Sequence, residues 1–284
     1  RRLNIDTSHE IDLFNEIALR EIGSIFRSDL TLLISEAEMK ILKETFDIEA
    51  PLVEYWPFST KMNHFTDEPL YQARQNCVML GSFMHPPNVD SVRWCVSEIW
   101  PQIREQLPNV ELHIYGSYSD DFRLSEKTLD QGVFLKGRMG DVSKELPKYR
   151  LNLAPLRYGA GLKGKVLDGL RLGTPTIGTE IAYEGFDATL DRVIAKDAEE
   201  FASKTVSLYR DPEQWDCVQK IGYDCLKKRF DQDDWHARFK SILEETSADL
   251  EARRRSNFIG KMLRHHSHRS TEFMSRWIEL KNAQ

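Results

Sequence analysis

The residues best suited to chemistry lie in one run: Arg157-Tyr158-Gly159-Ala160-Gly161-Leu162-Lys163-Gly164-Lys165-Val166-Leu167-Asp168-Gly169-Leu170. It follows a strand-like apolar segment, residues 151–155, and opens a segment with helical spacing. Gly159 and Gly161 permit positive φ and a close approach of backbone to a ligand. Successive amides in such a turn form an anion-binding nest, and a helix N-terminus adds unpaired N–H groups at the positive end of its dipole. Lys163 and Lys165 add formal charge at the same place, a local cost unless an anion offsets it. A diphosphate suits that combination. The competing expectation is a structural glycine turn with solvated lysines. The chain has no GxxxxGK[ST] sequence and no GxGxxG behind a first strand, which weakens kinase, GTPase and nicotinamide-dehydrogenase readings.

Other residue groups carry less. Cys77, Cys95, Cys217 and Cys225 show no CxxC spacing, so they read as small buried apolar residues in a reducing compartment, with no disulfide framework. His265, His266 and His268 form a dense tract, yet adjacent histidines on a helix face different ways and lack a carboxylate or Cys at ligand spacing. Asp120-Asp121 reads as a solvated loop pair. No metal site is expected. His85 follows Gly81 by four residues and could stand at a cleft mouth.

These residues need elements to position them. Residues 8–27 have the spacing of an amphipathic helix, and Ser35 with Glu38 forms a capping box for another. Residues 30–35 and 52–56 read as short strands. Residues 57–75, with Pro57 and Pro69, lack a sustained period and read as a linker. Beyond it, strands at 77–80, 110–115, 132–135, 151–155, 175–178 and 192–195 alternate with helices at 89–106, 142–149, 165–172 and 198–209. Gly81, Gly116 and Gly137 mark three strand ends, and Gly173 is placed to cap a helix in the left-handed region. The pattern predicts an α/β fold, a doubly wound parallel sheet, with flanking N- and C-terminal helices. Ligands of such sheets bind beyond the carboxyl ends of the strands.

Composition sets the outer limits. The chain has 284 residues, 40% hydrophobic and 30% charged, an ordinary globular mix and roughly two domains long. Thirty-nine basic against 45 acidic residues give a net charge of −6, which disfavours a protein held on nucleic acid by bulk charge. No window approaches the roughly 18 apolar residues of a membrane span. No signal peptide and no initiator Met are visible, so the sequence reads as part of a longer chain.

Several motifs in order give a resemblance. Residues 79–88 (MLGSFMHPPN) resemble the opening of the nucleotide-sugar domain of family 4 type glycosyltransferases with the GT-B fold. Trp100-Pro101 through Gly116 looks like its second βαβ unit. Residues 133–138 (VFLKGR) resemble the turn that holds the base. Ala154 through Asp168, then Gly173-Thr174-Pro175 and residues 182–186 (AYEGF), resemble the diphosphate and ribose loop. The resemblance covers roughly 76–240.

The resemblance implies a domain order: residues 1–68 as the end of an acceptor domain plus linker, 69–232 as the donor-binding domain, and 233–284 as helices packing back on the N-terminal segment. It also implies roles. Gly81, Ser82 and His85 would face the donor. Gly137, Arg138 and Met139 would meet the base through backbone. Gly159 and the amides of Ala160, Gly161 and Leu162 would cradle the diphosphate. Lys163 and Lys165 would neutralise it, and Asp168 would bind the ribose in place of the second Glu of an E-x7-E signature. The first Glu of that signature falls at Ala160. The implied activity is retaining, metal-independent hexosyl transfer from a nucleotide-diphosphate sugar, with no cofactor, to a glycan, lipid-linked or protein acceptor. The implied setting is cytoplasmic glycan biosynthesis. Segment 251–269 has six basic residues against one acidic and could touch an anionic membrane surface, or equally be a solvated helix face. The alternatives are a non-catalytic nucleotide-sugar-binding module and a sugar-nucleotide 2-epimerase, whose chemistry needs more acid–base groups than His85.

Overall fold

The computed structural model describes residues 15–282, apart from 49, 61–69, 120, 121 and 125. The described residues divide into two compact units: one over Phe58–Asp233, the other joining Asn15–Pro57 to the helices from Asp234 onward.

The second unit begins with α1 (Glu16–Arg27), capped by Asn15, whose side chain accepts from the Ala18 amide. The part of the expected helix before residue 15 lies outside the described residues. Strand β1 (Thr31–Leu33) follows, then α2 (Glu36–Phe46) and β2 (Val53–Tyr55), which pairs parallel with β1. Ser35 caps α2 as its spacing predicts, its hydroxyl accepting from Glu38 N at 3.3 Å. Ile25, Leu42, Ile48 and Val53 form the small core between these elements.

The first unit holds the sheet. Its strands are β3 (Gln75–Leu80), β4 (Leu112–Tyr115), β5 (Val133–Leu135), β6 (Tyr149–Ala154) and β7 (Thr176–Gly178). They lie in the order β5-β4-β3-β6-β7 and every pairing is parallel. Alternation along β3 shows why both faces must be covered: Cys77 and Met79 join the main core, while Val78 and Leu80 pack with Met139, Leu146 and Tyr149 on the other side. The covering helices are α3 (Pro86–Trp94), α4 (Trp100–Gln106), α5 (Glu126–Asp130), α6 (Val142–Glu145), α7 (Gly164–Arg171), α8 (Ala198–Arg210) and α9 (Pro212–Arg229). This is a doubly wound α/β fold.

Several boundaries differ from the sequence reading. The helix expected at 142–149 ends at Glu145, a 3₁₀ turn follows over Leu146–Lys148, and β6 already begins at Tyr149. The helix expected from 89 starts at Pro86, because two prolines are well placed in a first turn, and a wide π turn at Cys95–Ile99 separates α3 from α4. Residues 192–195 do not form a strand. Asp187 caps a 3₁₀ turn over Ala188–Val193, and the chain touches the sheet edge only through a bridge of Ile194 with Gly178 before Asp197 caps α8.

The helices α10 (Gln232–Ala248), α11 (Leu250–Ser256) and α12 (Phe258–Asn282) complete the second unit. Gly260 lets α12 approach α1 closely, since a Cβ there would stand 2.0 Å from the Phe26 carbonyl oxygen. Arg254 grips the Asp29 carboxylate with two bonds, 2.9 and 2.7 Å, and Arg264 reaches it at 3.4 Å. The Arg254 bond is the main cause that holds the Asp29 carboxyl below its usual range. No helix among the described residues is long and apolar enough to cross a membrane.

Candidate functional site

The strand order locates the site. From β3 the chain builds outward through β4 and β5, then returns to the other side of β3 with β6 and β7. The switch point therefore lies between β3 and β6, the position where doubly wound sheets bind ligands. The turn after β3 supplies Gly81, Ser82 and His85. The loop after β6 supplies residues 155–163 and leads into α7.

That loop has free donors. Gly161 adopts φ +72° and Gly159 φ +140°, conformations open to glycine and strained for other residues. The amides of Ala160, Gly161 and Leu162, and those of Gly164 and Lys165 in the first turn of α7, donate to no acceptor among the described residues. Lys163 is the N-cap residue and makes no side-chain cap. Gly161 and Leu162 are buried. Buried amides without partners are costly, and a bound anion would satisfy them. Buried Asn152 sets the position of α7, its Nδ2 donating to the Lys165 carbonyl at 3.0 Å and to Thr176 Oγ1 at 3.0 Å.

Two ties hold the loop and α7 to α3 across the switch point. Arg157 pairs with Asp90, Nε to Oδ2 at 3.0 Å, and its guanidinium lies 5.5 Å from the centre of the Trp94 ring. Lys165 Nζ donates to Asn88 Oδ1 at 2.7 Å. The two lysines differ in compensation. Lys163 lies 3.8 Å from Glu184 and donates to the Gly161 carbonyl. Lys165 meets only the neutral carboxamide of Asn88, with no carboxylate partner among the described residues. Burial first, and the charge of Lys163 second, push its ammonium down to about 8. Two cations, of which Lys163 alone has a carboxylate partner among the described residues, thus stand beside the amides of Ala160, Gly161, Leu162, Gly164 and Lys165.

A pH dependence follows for any anion bound here. Folding lowers the Lys165 pKa from 10.5 to about 8, so the folded chain holds fewer protons over that window. Its contribution to stability therefore rises with pH from about 8 toward 10.5. A bound diphosphate favours the ammonium. Affinity for it should fall as pH rises through about 8, with proton uptake on binding. Titration calorimetry in buffers of different ionisation enthalpy checks this; flat affinity and no uptake between pH 7 and 9.5 would contradict it.

The remaining expected residues fall as follows. Gly137, φ +68°, ends the turn after β5, and its carbonyl accepts from Gly116 N at 2.8 Å. Arg138 is exposed. The Met139 side chain is buried in the core with Val78 and Leu146, which leaves only its backbone to meet a ligand. Leu162 likewise turns its side chain inward, against Gly185. His85 is exposed at the start of α3, and its carbonyl accepts from Asn88 N. Asp168 pairs with Arg171 at 2.8 Å within α7 and is about one-third exposed (32%). The side of Gly81 where a Cβ would stand faces the Asn88 carboxamide. Asp120 and Asp121 lie outside the described residues. No cluster of three or more His, Cys, Asp or Glu among the described residues could hold a metal ion.

Asn88 and Glu184 were not singled out from sequence. Asn88 stands beside two prolines, and Glu184 lies in a turn 21 residues past Lys163; nothing local marks either as a lysine partner. A groove of about 780 Å³ between α1, β1 and α2 is mainly apolar, and it belongs to the other unit. The lysines and free amides are the better guide to chemistry.

Comparison with known proteins bears on the fold. Residues 74–211 match the family described as Glycosyl transferases group 1. No curated protein matches the sequence. Among solved structures, the fold is shared with TarM of S. aureus, crystallised with fondaparinux, α-GlcNAc-glycerol and UDP, at TM-score 0.67 and 14% identity over 84% of this chain and 48% of that one. The pneumococcal O-GlcNAc transferase GtfA, in complex with UDP and GlcNAc, shares it at TM-score 0.64 and 16% identity, over 82% of this chain and 48% of that one. Sucrose-phosphate synthase from Thermosynechococcus elongatus shares it at TM-score 0.61 and 16% identity, over 82% of this chain and 62% of that one. The chain spans about half the length of the first two. The family match thus covers residues 74–211, and the solved structures share the fold.

Proposed function

We propose that this chain carries the donor half of a glycosyltransferase that moves a sugar from a nucleoside-diphosphate sugar to an acceptor hydroxyl, with retention and without a metal ion. The observation that carries the reading is the set of amides of Ala160, Gly161, Leu162, Gly164 and Lys165, which have no acceptor among the described residues, beside two lysines at the switch point. UDP in the related TarM and GtfA structures adds support for a nucleotide donor.

The chemistry follows from charge. In glycosyl transfer the bond from C1 of the sugar to the β-phosphate oxygen breaks, the bond from C1 to the acceptor oxygen forms, and the acceptor's proton leaves with the diphosphate. Positive charge develops on the sugar and negative charge on the departing diphosphate. Fixed amides and ammonium groups aimed at that diphosphate are worth more in the developing state than in the ground state, and they need no reorganisation. Lys165 supplies a full positive charge already in place. Lys163 supplies a second once it trades Glu184 for a phosphate oxygen.

Asp168 reaches the ribose in this reading only by sharing its carboxylate between the sugar and Arg171. An Asp168→Ala change should therefore cost a few-fold in UDP affinity, about 1 kcal/mol for one hydrogen bond. It should also erase the preference for UDP over its 2′,3′-dideoxy analogue; a preference that survives in the variant would remove Asp168 from the site. The 2-epimerase alternative is not favoured, since His85 is exposed and stands alone there. The activity test supplies nucleotide sugars with candidate acceptors and reads the anomeric configuration of the product by NMR. A product with the donor's configuration supports the reading, and an inverted one overturns retention.

A further inference from the structure

Asn88 is an uncharged polar side chain that joins both sides of the switch point through hydrogen bonds. It lies in the first turn of α3. Its Nδ2 donates to the Ser82 carbonyl at 2.9 Å, and its Oδ1 accepts from Lys165 Nζ at 2.7 Å. Gly81, one residue past β3, explains how it fits. A Cβ on Gly81 would stand 2.6 Å from Asn88 Cγ and 2.8 Å from each of its amide atoms. Gly81 does not occupy the left-handed region, so its backbone conformation does not require glycine.

We propose that Asn88 is the positioning residue of this site: its carboxamide fixes Lys165 across the switch point without cancelling its charge, and residue 81 is glycine to admit that carboxamide. The inference rests on the donor-site reading, and it reassigns Gly81 from facing the donor phosphates to making room for Asn88. The choice of a neutral partner has a physical reason. An ammonium has three donors. One goes to Asn88, which leaves two for incoming oxygens. A carboxylate at the same place would hold the lysine equally well but neutralise it, as Glu184 does in part for Lys163. Two nearby carboxylates are already matched, Asp90 by Arg157 and Asp168 by Arg171. Asn88 thus leaves Lys165 both fixed in place and unneutralised.

The test has two readouts without nucleotide and one with it. The first is a double-mutant cycle on thermal stability with Gly81→Ala, Asn88→Ala and the pair. Gly81→Ala alone should destabilise the chain clearly, and in the Asn88→Ala background most of that loss should vanish. Equal losses in both backgrounds would overturn the assignment of Gly81. The second is a titration of ¹³C-labelled lysine side chains in the full chain. The Lys165 resonance, identified by its absence in Lys165→Met, should titrate near pH 8 and move up by about one to three pH units in Asn88→Asp. An unmoved midpoint would show that the carboxamide does not govern Lys165. The third is UDP affinity at pH 7, which should fall in Asn88→Ala and in Asn88→Asp; because Lys165 stays protonated in the latter, its affinity should decline less than that of wild type as pH rises through 8. Affinity unchanged in both variants would reduce Asn88 to a structural turn residue. The donor-site reading fails separately: it falls if wild type binds no nucleotide, whatever the cycle and the titration show.

Discussion

A Lys165→Met variant is expected to lose roughly tenfold to a hundredfold in nucleoside-diphosphate affinity while melting at the same temperature as wild type or higher. A hydrogen bond to a charged group contributes about 1.5–3 kcal/mol, which is the source of that range. The loss falls fully on Lys165 because its side chain's only partner among the described residues is the neutral Asn88 carboxamide, which leaves its charge available to a phosphate. Lys163→Met should cost less, because Lys163 must first leave Glu184, 3.8 Å away. The stability half of the result separates function from folding. Burial depresses the Lys165 ammonium to about 8, so the folded state bears a cost for keeping it charged at neutral pH. Methionine keeps most of the stem and removes that cost, as often happens when a strained functional residue is replaced. Calorimetric titration of UDP, GDP and ADP with thermal melts of the same preparations checks both halves. Full affinity in Lys165→Met, or a larger loss in Lys163→Met, would show that the charge ranking is wrong.

Gly116→Ala is the second large effect, and it is structural. Gly116 ends β4 against the turn after β3. A Cβ there would meet the Gly81 carbonyl oxygen at 2.1 Å and the Phe83 ring at 2.7 Å. The first neighbour is backbone and cannot rotate away. Gly116 N also donates to the Gly137 carbonyl, so three strand-end turns are locked together at this point. Overpacking of this kind costs about 3 kcal/mol. For a unit of this size that is a drop in melting temperature of roughly 6–12 °C. Because the displaced atom belongs to Gly81, nucleotide affinity should fall along with stability. Gly140→Ala makes the control, since a Cβ there would meet nothing within 4 Å and its φ is not left-handed. A Gly116→Ala chain with wild-type melting and affinity would contradict the packing of these turns.

The sheet was legible in the sequence because each of its strands is a short apolar run closed by a turn residue, with a helix-period segment between successive runs. The glycine loop was legible for a similar reason: glycine, lysine and a helix start leave few structural options within eight residues. The ties across the switch point were not legible. Asn88 precedes Lys165 by 77 residues, and only the strand order places α3 beside α7. Glu184 reaches Lys163 through a turn whose course depends on Gly185, which is left-handed and packed against Leu162. The edge strand expected at 192–195 failed because its apolar pattern is shared by a capped 3₁₀ turn, and the Asp187 cap decided the outcome. Met139 and Leu162 were placed correctly as turn residues, but only packing reveals that their side chains point into the core.

The central claim is that fixed amides and two lysines at the β3–β6 switch point bind a diphosphate. The most direct measurement is titration calorimetry of the full chain with UDP, GDP and ADP, each in EDTA and again with Mg²⁺. The account predicts that one of the three binds in EDTA and that Mg²⁺ changes its affinity by less than about threefold, because the cations it would supply are already Lys163 and Lys165. A folded chain that binds none of them, or binds only with Mg²⁺, would contradict it.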